Sequence, residues 1–221
     1  MVGFISKIRA LFGGAGAPDT QGPVALDLAS LQAEWLIVGL GNPGARYAAT
    51  RHNVGYMAID DLLADAGDVL APVRGIKAEA AQIDINGTPV VVARATTFMN
   101  LSGEGIGPLA TALGVGPDRV IVCHDELDLP AHKLRLKLGG NENGHNGLKS
   151  LTEHLGTRDY LRVRIGIGRP AKSAPQPIPD WVLGPVDDGH DFDTAIATAA
   201  RGARLIVARG LNAAQNDIHS R

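Results

Sequence analysis

Two side chains in this sequence have the chemistry of a base and its orienting acid. His52 lies in the polar stretch Thr50-Arg51-His52-Asn53, shortly after the apolar run Trp35-Leu36-Ile37-Val38, and Asp125 follows the apolar run Val120–Cys123. Both should emerge near the C-terminal ends of strands, where open α/β sheets place their ligand crevice. An aspartate beside an imidazole holds its tautomer and raises its basicity. No serine stands in a G-x-S-x-G elbow, and Cys123, inside an apolar strand, reads as a buried core thiol. Without a protein nucleophile, a His52–Asp125 pair would activate water directly, a step typically worth about 10²–10⁴-fold. Asn42, Asn100 and Asn146 stand in loops near glycines. They suit turns, and Asn146, opening a helical pattern, suits an N-cap; as amides they also suit orienting a water and an ester or amide carbonyl. The acids Asp125, Glu126 and Asp128 beside His124 offer oxygens to a divalent metal, but no H-E-x-x-H or similar ligand spacing supports one.

A second pattern competes for the same region. Gly39-Leu40-Gly41-Asn42-Pro43-Gly44 has the G-x-G-x-x-G spacing of a dinucleotide fingerprint and directly follows a strand-like run. That reading needs a helix starting within the loop and an acid ending the next strand about 20 positions on. The residues after Gly44 carry no apolar helical face, and Asp60 and Asp61 fall inside Val54–Ala66, whose apolar residues have helical spacing. The glycines are better read as a tight turn lifting Asn42 and His52 to the mouth of a sheet.

The elements that would position these groups follow from periodicity. Strand-like runs lie at Trp35–Leu40, Ala80–Ile85, Pro89–Ala93, Val120–His124, Lys133–Leu138 and Leu161–Ile167, and helical patterns at Val54–Ala66, Ile106–Leu113, Asn146–Leu155 and Asp191–Arg209. Asn86-Gly87 between two alternating runs predicts a hairpin. The mixture predicts a single α/β domain with a mixed twisted sheet surrounded by helices. The proline-rich stretch Ala174–Pro179 reads as a mobile loop. Residues 1–34 read as a flexible N-terminal extension ahead of a catalytic domain at 35–221. Within that extension Phe4, Ile5, Ile8, Leu11 and Phe12 would share a helix face, with a linker over Gly13–Pro23.

The single cysteine excludes an intramolecular disulfide and any multi-cysteine metal site, and fits a reducing compartment. No apolar run approaches the roughly 18 residues of a membrane span, and Lys7 and Arg9 interrupt the N-terminal apolar residues where a secretory signal would be uninterrupted. A cytoplasmic protein without a membrane partner is expected. The formal charge of −2 hides a division: between Ala131 and Lys172, nine lysines and arginines face three acids. A field of this kind can hold a polyanion on one face of an acidic protein. Lys133, Arg135 and Lys137 alternate with Leu134, Leu136 and Leu138, predicting cations on one strand face and leucines in the core; Arg162 and Arg164 alternate likewise with Val163 and Ile165. Aromatics are 4% of the chain, too few for base stacking at scale, so binding would run through phosphates.

Taken together, G-L-G-N-P-G-x-x-Y-x-x-T-R-H-N-V-G (39–55), T-F-M-N-L-S-G (97–103), H-D-E-L-D-L-P (124–130), G-H-N-G-L-K-S (144–150) and R-V-R-I-G-I-G-R-P (162–170) closely resemble the bacterial-type peptidyl-tRNA hydrolases. The resemblance is collinear from about Trp35 onward. It implies a monomeric, cofactor- and metal-free enzyme that cleaves the ester between a peptide and the 3′-terminal adenosine of peptidyl-tRNA. By the same resemblance His52 is the general base and Asp125 its orienting partner. Asn42 matches the position that tells N-blocked from free aminoacyl groups, and Tyr47, Phe98, Met99, Asn100 and Asn146 match substrate-lining positions. Lys137 and Arg164 match positions associated with tRNA phosphates. The chain departs from the family pattern in its first 34 residues, in Asn141-Glu142-Asn143 where many members are glycine-rich, and in His132 where glycine is usual. A non-catalytic RNA-binding adaptor on the same scaffold is the rival reading; such a module has no need of a His–Asp pair.

Overall fold

A computed structural model describes residues 24–219. Seven strands form one sheet: β1 (Trp35–Gly39), β2 (Ala71–Pro72), β3 (Ala78–Ile85), β4 (Thr88–Ala95), β5 (Val120–Glu126), β6 (Leu134–Leu138) and β7 (Leu161–Gly166). Their order is β2-β3-β4-β1-β5-β7-β6. The central strands run parallel, β1 between β4 and β5 and β5 beside β7, while β3 pairs antiparallel with β4 and β6 antiparallel with β7. Parallel central strands must be covered on both faces. Accordingly Leu36, Ile37 and Val38 are all fully buried, Ile37 in one core layer and Leu36 and Val38 in the other.

Among the described residues, five α-helices supply the two layers: α1 (Val54–Ala66), α2 (Ser102–Leu113), α3 (Asn146–Leu155), α4 (Ile178–Val182) and α5 (His190–His219). α1 and α5 pack on the Ile37 side, and α2 and α3 on the Leu36 side. α1, α2 and α3 each stop at a glycine in the left-handed region, Gly67, Gly114 and Gly156, the usual helix terminator. The hairpin forms at Asn86 and Gly87, both with positive φ, as a two-residue turn of right-handed twist requires.

Several expectations are revised. α2 begins at Ser102, four residues before Ile106, because its first turns are a glycine face and not an apolar one. A Cβ on Gly103 would lie 2.2 Å from the Ser150 carbonyl oxygen, so glycine lets α2 press against α3. α5 runs past Arg209 to His219, broken at Gly210 (φ 77°, ψ 167°). Beyond the break Gln215 Nε2 donates to Leu136 O and His219 Nε2 accepts from Leu136 N, so this segment satisfies the outer edge of β6. Leu138, expected in the core, is 53% exposed because β6 ends beyond that cover. The proline-rich stretch expected as a loop leads into α4, which accommodates Pro179 in its first turn, where a missing N–H costs nothing.

Residues 24–34 run along the β2 edge of the sheet. Leu26 N donates to Pro72 O and Arg74 N to Leu26 O, forming a bridge beside β2, and Leu28, Leu31 and Ala33 pack on the core. Trp35 therefore marks the first main strand and not a packing boundary. The apolar face at Phe4–Phe12 and the linker at Gly13–Pro23 lie outside the described residues. His132 takes its left-handed turn position (φ 65°) and sets Nε2 3.0 Å from Asp187 Oδ2.

Candidate active site

The glycine-rich turn after β1 is built for close packing. A Cβ on Gly39 would lie 2.6 Å from Gly55 O, one on Gly41 2.7 Å from the Tyr56 ring, and one on Gly55 2.3 Å from Cys123 O. Only hydrogens at these positions let the start of α1 sit directly against the ends of β1 and β5. Gly44 serves the turn itself, with φ 98° in open space. Gly39 and Gly41 thus admit α1 and not a pyrophosphate.

That close approach sets two loops against each other. Asn42 N donates to Asn53 Oδ1, and Asn53 Nδ2 donates back to Asn42 O, both at 2.9 Å. Asn42 Oδ1 accepts from Met99 N at 2.9 Å. With its oxygen engaged, the buried Asn42 amide has its NH₂ end left for a ligand. Asn53, next to His52 and not singled out by sequence reasoning, locks Asn42 to the turn that carries His52; the signal was its place in T-R-H-N.

His52 stands in a short 3₁₀ turn (Arg51–Asn53) leading into α1, and its Nδ1 donates to Asp125 Oδ1 at 2.8 Å. The Asp125 side chain, near the end of β5, is only 3% exposed. The same oxygen accepts a second bond, 2.9 Å long, from His145 Nε2. His145 was missed as a candidate, and Asn146 was expected at its place: His145, not Asn146, is the N-cap of α3. Its Nδ1 accepts from the N–H groups of Gly147 and Leu148, which fixes the proton on Nε2 and aims it at Asp125. A histidine cap was hidden because serine, threonine and asparagine are the usual choices there. A third histidine, His124, donates from Nδ1 to Asp125 O; burial, then the neighbouring His145, push its pKa down to about 3, so it is neutral.

These contacts set the electrostatics. Burial alone would raise the Asp125 carboxyl, but His52 and His145 hold it well below the usual carboxylate range. Burial alone would lower the His52 pKa, yet the charge and hydrogen bond of Asp125 more than offset that, and it lies above its ordinary value. With Nδ1 committed to Asp125, the Nε2 lone pair is the end left for a proton from water. Cys123 is buried, its thiol pushed up to about 12 by burial, and offers no nucleophile.

His52, Asp125 and His145 bring three ligand-type atoms within 4.8 Å of one another. Their hydrogen bonding opposes a metal there: a cation on His145 Nε2 would move the ring proton to Nδ1, against two backbone N–H donors. Of the acids beside His124, Glu126 is engaged by Arg164 and Asp128 by Arg169.

The pair opens into a cavity of about 600 Å³ lined by Asn42, Tyr47, Phe98, Met99, Asn100 and Asn146 together with His52 and Asp125. The structure thus brings together every residue marked as catalytic or substrate-lining. Met99 is buried, while Phe98, Asn100 and Asn146 are exposed at the rim, and the Tyr47 and Phe98 rings meet edge to face at 6.2 Å. The far wall comes from α4 and its flanks, Ile178, Pro179, Val182 and Leu183. Arg51, next to His52, anchors that wall with its guanidinium 3.8 Å from the Trp181 ring centroid.

Lys137 and Arg164 lie outside the cavity, on β6 and β7. The register places Arg135 opposite Arg164 and Lys137 opposite Arg162, so four cations share the sheet face that carries α3. They are not equivalent. Arg162 is 2% exposed and donates to the carbonyls of Gly140 and Asn141, a structural role that corrects its reading as a surface cation. Arg164 is half-buried and donates to Glu126 Oε2 at 2.9 Å. The absence of acids within each run did not reveal one on the neighbouring strand. Lys137 makes no ion pair among the described residues, and burial, with Arg164 and Arg162 nearby, depresses its pKa.

A mixed sheet presenting a buried His–Asp pair to an open cavity, beside a cationic strand face, has the chemistry of a hydrolase. Comparison with known proteins gives the family. A peptidyl-tRNA hydrolase family profile matches residues 36–221, and the chain belongs to that family. A Corynebacterium glutamicum protein named peptidyl-tRNA hydrolase 2 is 57% identical over 222 residues, covering 100% of this chain and 98% of its own, so the N-terminal segment has a counterpart there. Cutibacterium acnes peptidyl-tRNA hydrolase is 44% identical over 198 residues, covering 84% of this chain and 98% of its own. The crystal structure of the Acinetobacter baumannii peptidyl-tRNA hydrolase superimposes with a TM-score of 0.77 at 34% identity, covering 85% of this chain and 95% of that one. No helix among the described residues is long and apolar enough to cross a membrane.

Proposed function

We propose that this protein hydrolyses the ester joining a peptide to the 3′-terminal adenosine of peptidyl-tRNA, acting as a monomer in the cytoplasm without a metal. The observation that carries the mechanism is the 2.8 Å bond between His52 Nδ1 and a buried Asp125 at the floor of the cleft. His52 Nε2 takes a proton from a water, which attacks the ester carbonyl. The Asn42 amide NH₂ faces the developing oxyanion, and Asp125 stabilises the imidazolium formed. The proton then passes to the departing ribose oxygen. Asn100 and Asn146, at the rim, hold the peptide backbone, and Tyr47 and Phe98 supply an apolar surface. Lys137 contacts tRNA phosphate, with Arg164 a lesser contributor because Glu126 shares its charge. The catalytic domain runs from Trp35 onward, with residues 24–34 strapped to its β2 edge.

The test is release of tRNA from N-acetyl-aminoacyl-tRNA in the presence of EDTA, comparing wild type with His52→Ala. Wild type should turn over, and the variant should lose activity by about 10²–10⁴-fold. No release by wild type, or equal release by the variant, overturns the assignment.

A further inference from the structure

The loop joining β6 to α3 is a poor candidate for rigidity by composition. Gly139, Gly140, Asn143 and Gly144 all have positive φ, and such backbone carries a large entropy cost when ordered. Yet this loop delivers His145 to Asp125. Something must hold it. Arg162 supports its first half from below, through Gly140 O and Asn141 O. The second half rests on Glu142, one of the residues by which this chain departs from the glycine-rich run of the family it resembles.

Glu142 is 6% exposed, the one buried charged side chain within the loop. Its Oε1 accepts from Arg158 Nε at 2.6 Å and from Thr152 Oγ1 at 2.9 Å. Thr152 lies on α3 itself, and Arg158 just beyond it, so the carboxylate pins the loop to the helix that His145 caps. The backbone of the same residue closes the connection: Glu142 O accepts from His145 N at 2.8 Å. From there His145 Nε2 reaches Asp125 Oδ1, to which His52 also donates.

We propose that Glu142 is a positioning residue for the hydrolytic site: its carboxylate holds the 139–145 loop so that His145 presents Nε2 to Asp125, and through Asp125 it fixes the orientation of His52. This rests on the hydrolase reading above, and it assigns Glu142 no contact with substrate. A glycine at this position would remove the loop's side-chain ties to Thr152 and Arg158, leaving the stretch ahead of His145 held from Arg162 through Gly140 O and Asn141 O.

Glu142→Gln keeps the shape but weakens both charge-assisted bonds, and Glu142→Gly removes them. Wild type and both variants should be compared in steady-state release of tRNA and in ¹⁵N-histidine NMR without substrate. The expected result is a fall in kcat of roughly tenfold for Glu142→Gly, smaller for Glu142→Gln, with KM changing much less, since misplacement of a reacting group acts on the chemical step. The Nε2–H resonance of His145, protected from solvent exchange by its bond to Asp125, should broaden or exchange in Glu142→Gly. An unchanged kcat and an intact Nε2–H signal in the folded variants would overturn the proposal. So would a loss confined to thermal stability. Turnover by wild type separates these outcomes from failure of the hydrolase assignment itself, and the NMR signal does not depend on that assignment.

Discussion

At the scale of single residues, the site turns on one oxygen. Asp125 Oδ1 accepts from both His52 and His145, so its charge does two jobs: it fixes which nitrogen of His52 carries the proton, and it holds that imidazole above its ordinary pKa against the opposing effect of burial. The sign of the pH dependence follows. The base works only when neutral, so kcat/KM should fall as pH drops through a value above the ordinary histidine pKa of about 6.5. Asp125→Asn removes the charge and leaves burial as the dominant influence on His52, so the acidic limb should move to lower pH. The rate should drop by about 10²–10⁴-fold, because an amide NH₂ facing Nδ1 favours the wrong tautomer. The measurement is a pH profile of kcat/KM for both proteins; a limb that stays at the wild-type position would sever the link between Asp125 and the basicity of His52.

At the scale of elements, α1 is the part that most directly carries His52, and its seating depends on Gly55. The missing Cβ matters there because it would sit 2.3 Å from Cys123 O in β5 and 2.6 Å from Leu40 O just past β1, both backbone atoms that cannot swing aside. Gly55→Ala should push α1 outward, cost about 1–3 kcal/mol of stability, and lower activity more than the stability loss alone explains, since the His52 turn moves with the helix. A melting temperature within about 1 °C of wild type, where 1 kcal/mol is worth roughly 2–4 °C, would show that the contact relaxes freely. Much at this scale was legible in the sequence. The helical spacing over Val54–Ala66 and the apolar runs of β1 and β5 put His52 and Asp125 near strand ends of one sheet, while the pairing of β1 with β5 that brings them together is not written in either run. What was not legible has physical reasons. The first turns of α2 show no apolar stripe because their packing face is made of glycines. α4 begins among prolines that serve equally in loops. His145 carries no mark of an N-cap, and Arg162 has the alternation of a surface cation while its charge is spent on the loop carbonyls of Gly140 and Asn141, since partners across a loop leave no trace in local spacing.

At the scale of the whole molecule, the sheet has two unlike edges. The β2 edge is covered by the strap around Leu26, and the β6 edge, satisfied by Gln215 and His219, borders the face that gathers Arg135, Lys137, Arg162 and Arg164. This local concentration explains how a chain of formal charge −2 could engage a polyanion. The four cations differ in what they can give. Arg162 is committed to carbonyls and Arg164 to Glu126, whereas the pKa of Lys137 is depressed by burial and by its arginine neighbours, a crowding that a phosphate would relieve. Lys137→Ala should therefore weaken tRNA binding and reduce the slope of log affinity against log salt by about 0.7–0.9, the value of one released phosphate contact. Arg164→Ala should change the slope less but destabilise the fold, because it leaves the Glu126 carboxylate, 6% exposed, without its cationic partner. Binding titrations of both variants across a range of salt, alongside thermal melts, separate the two roles. Equal slopes for Lys137→Ala and wild type would mean that this face is only solvated, and that the polyanion is held elsewhere on the basic stretch between Ala131 and Lys172.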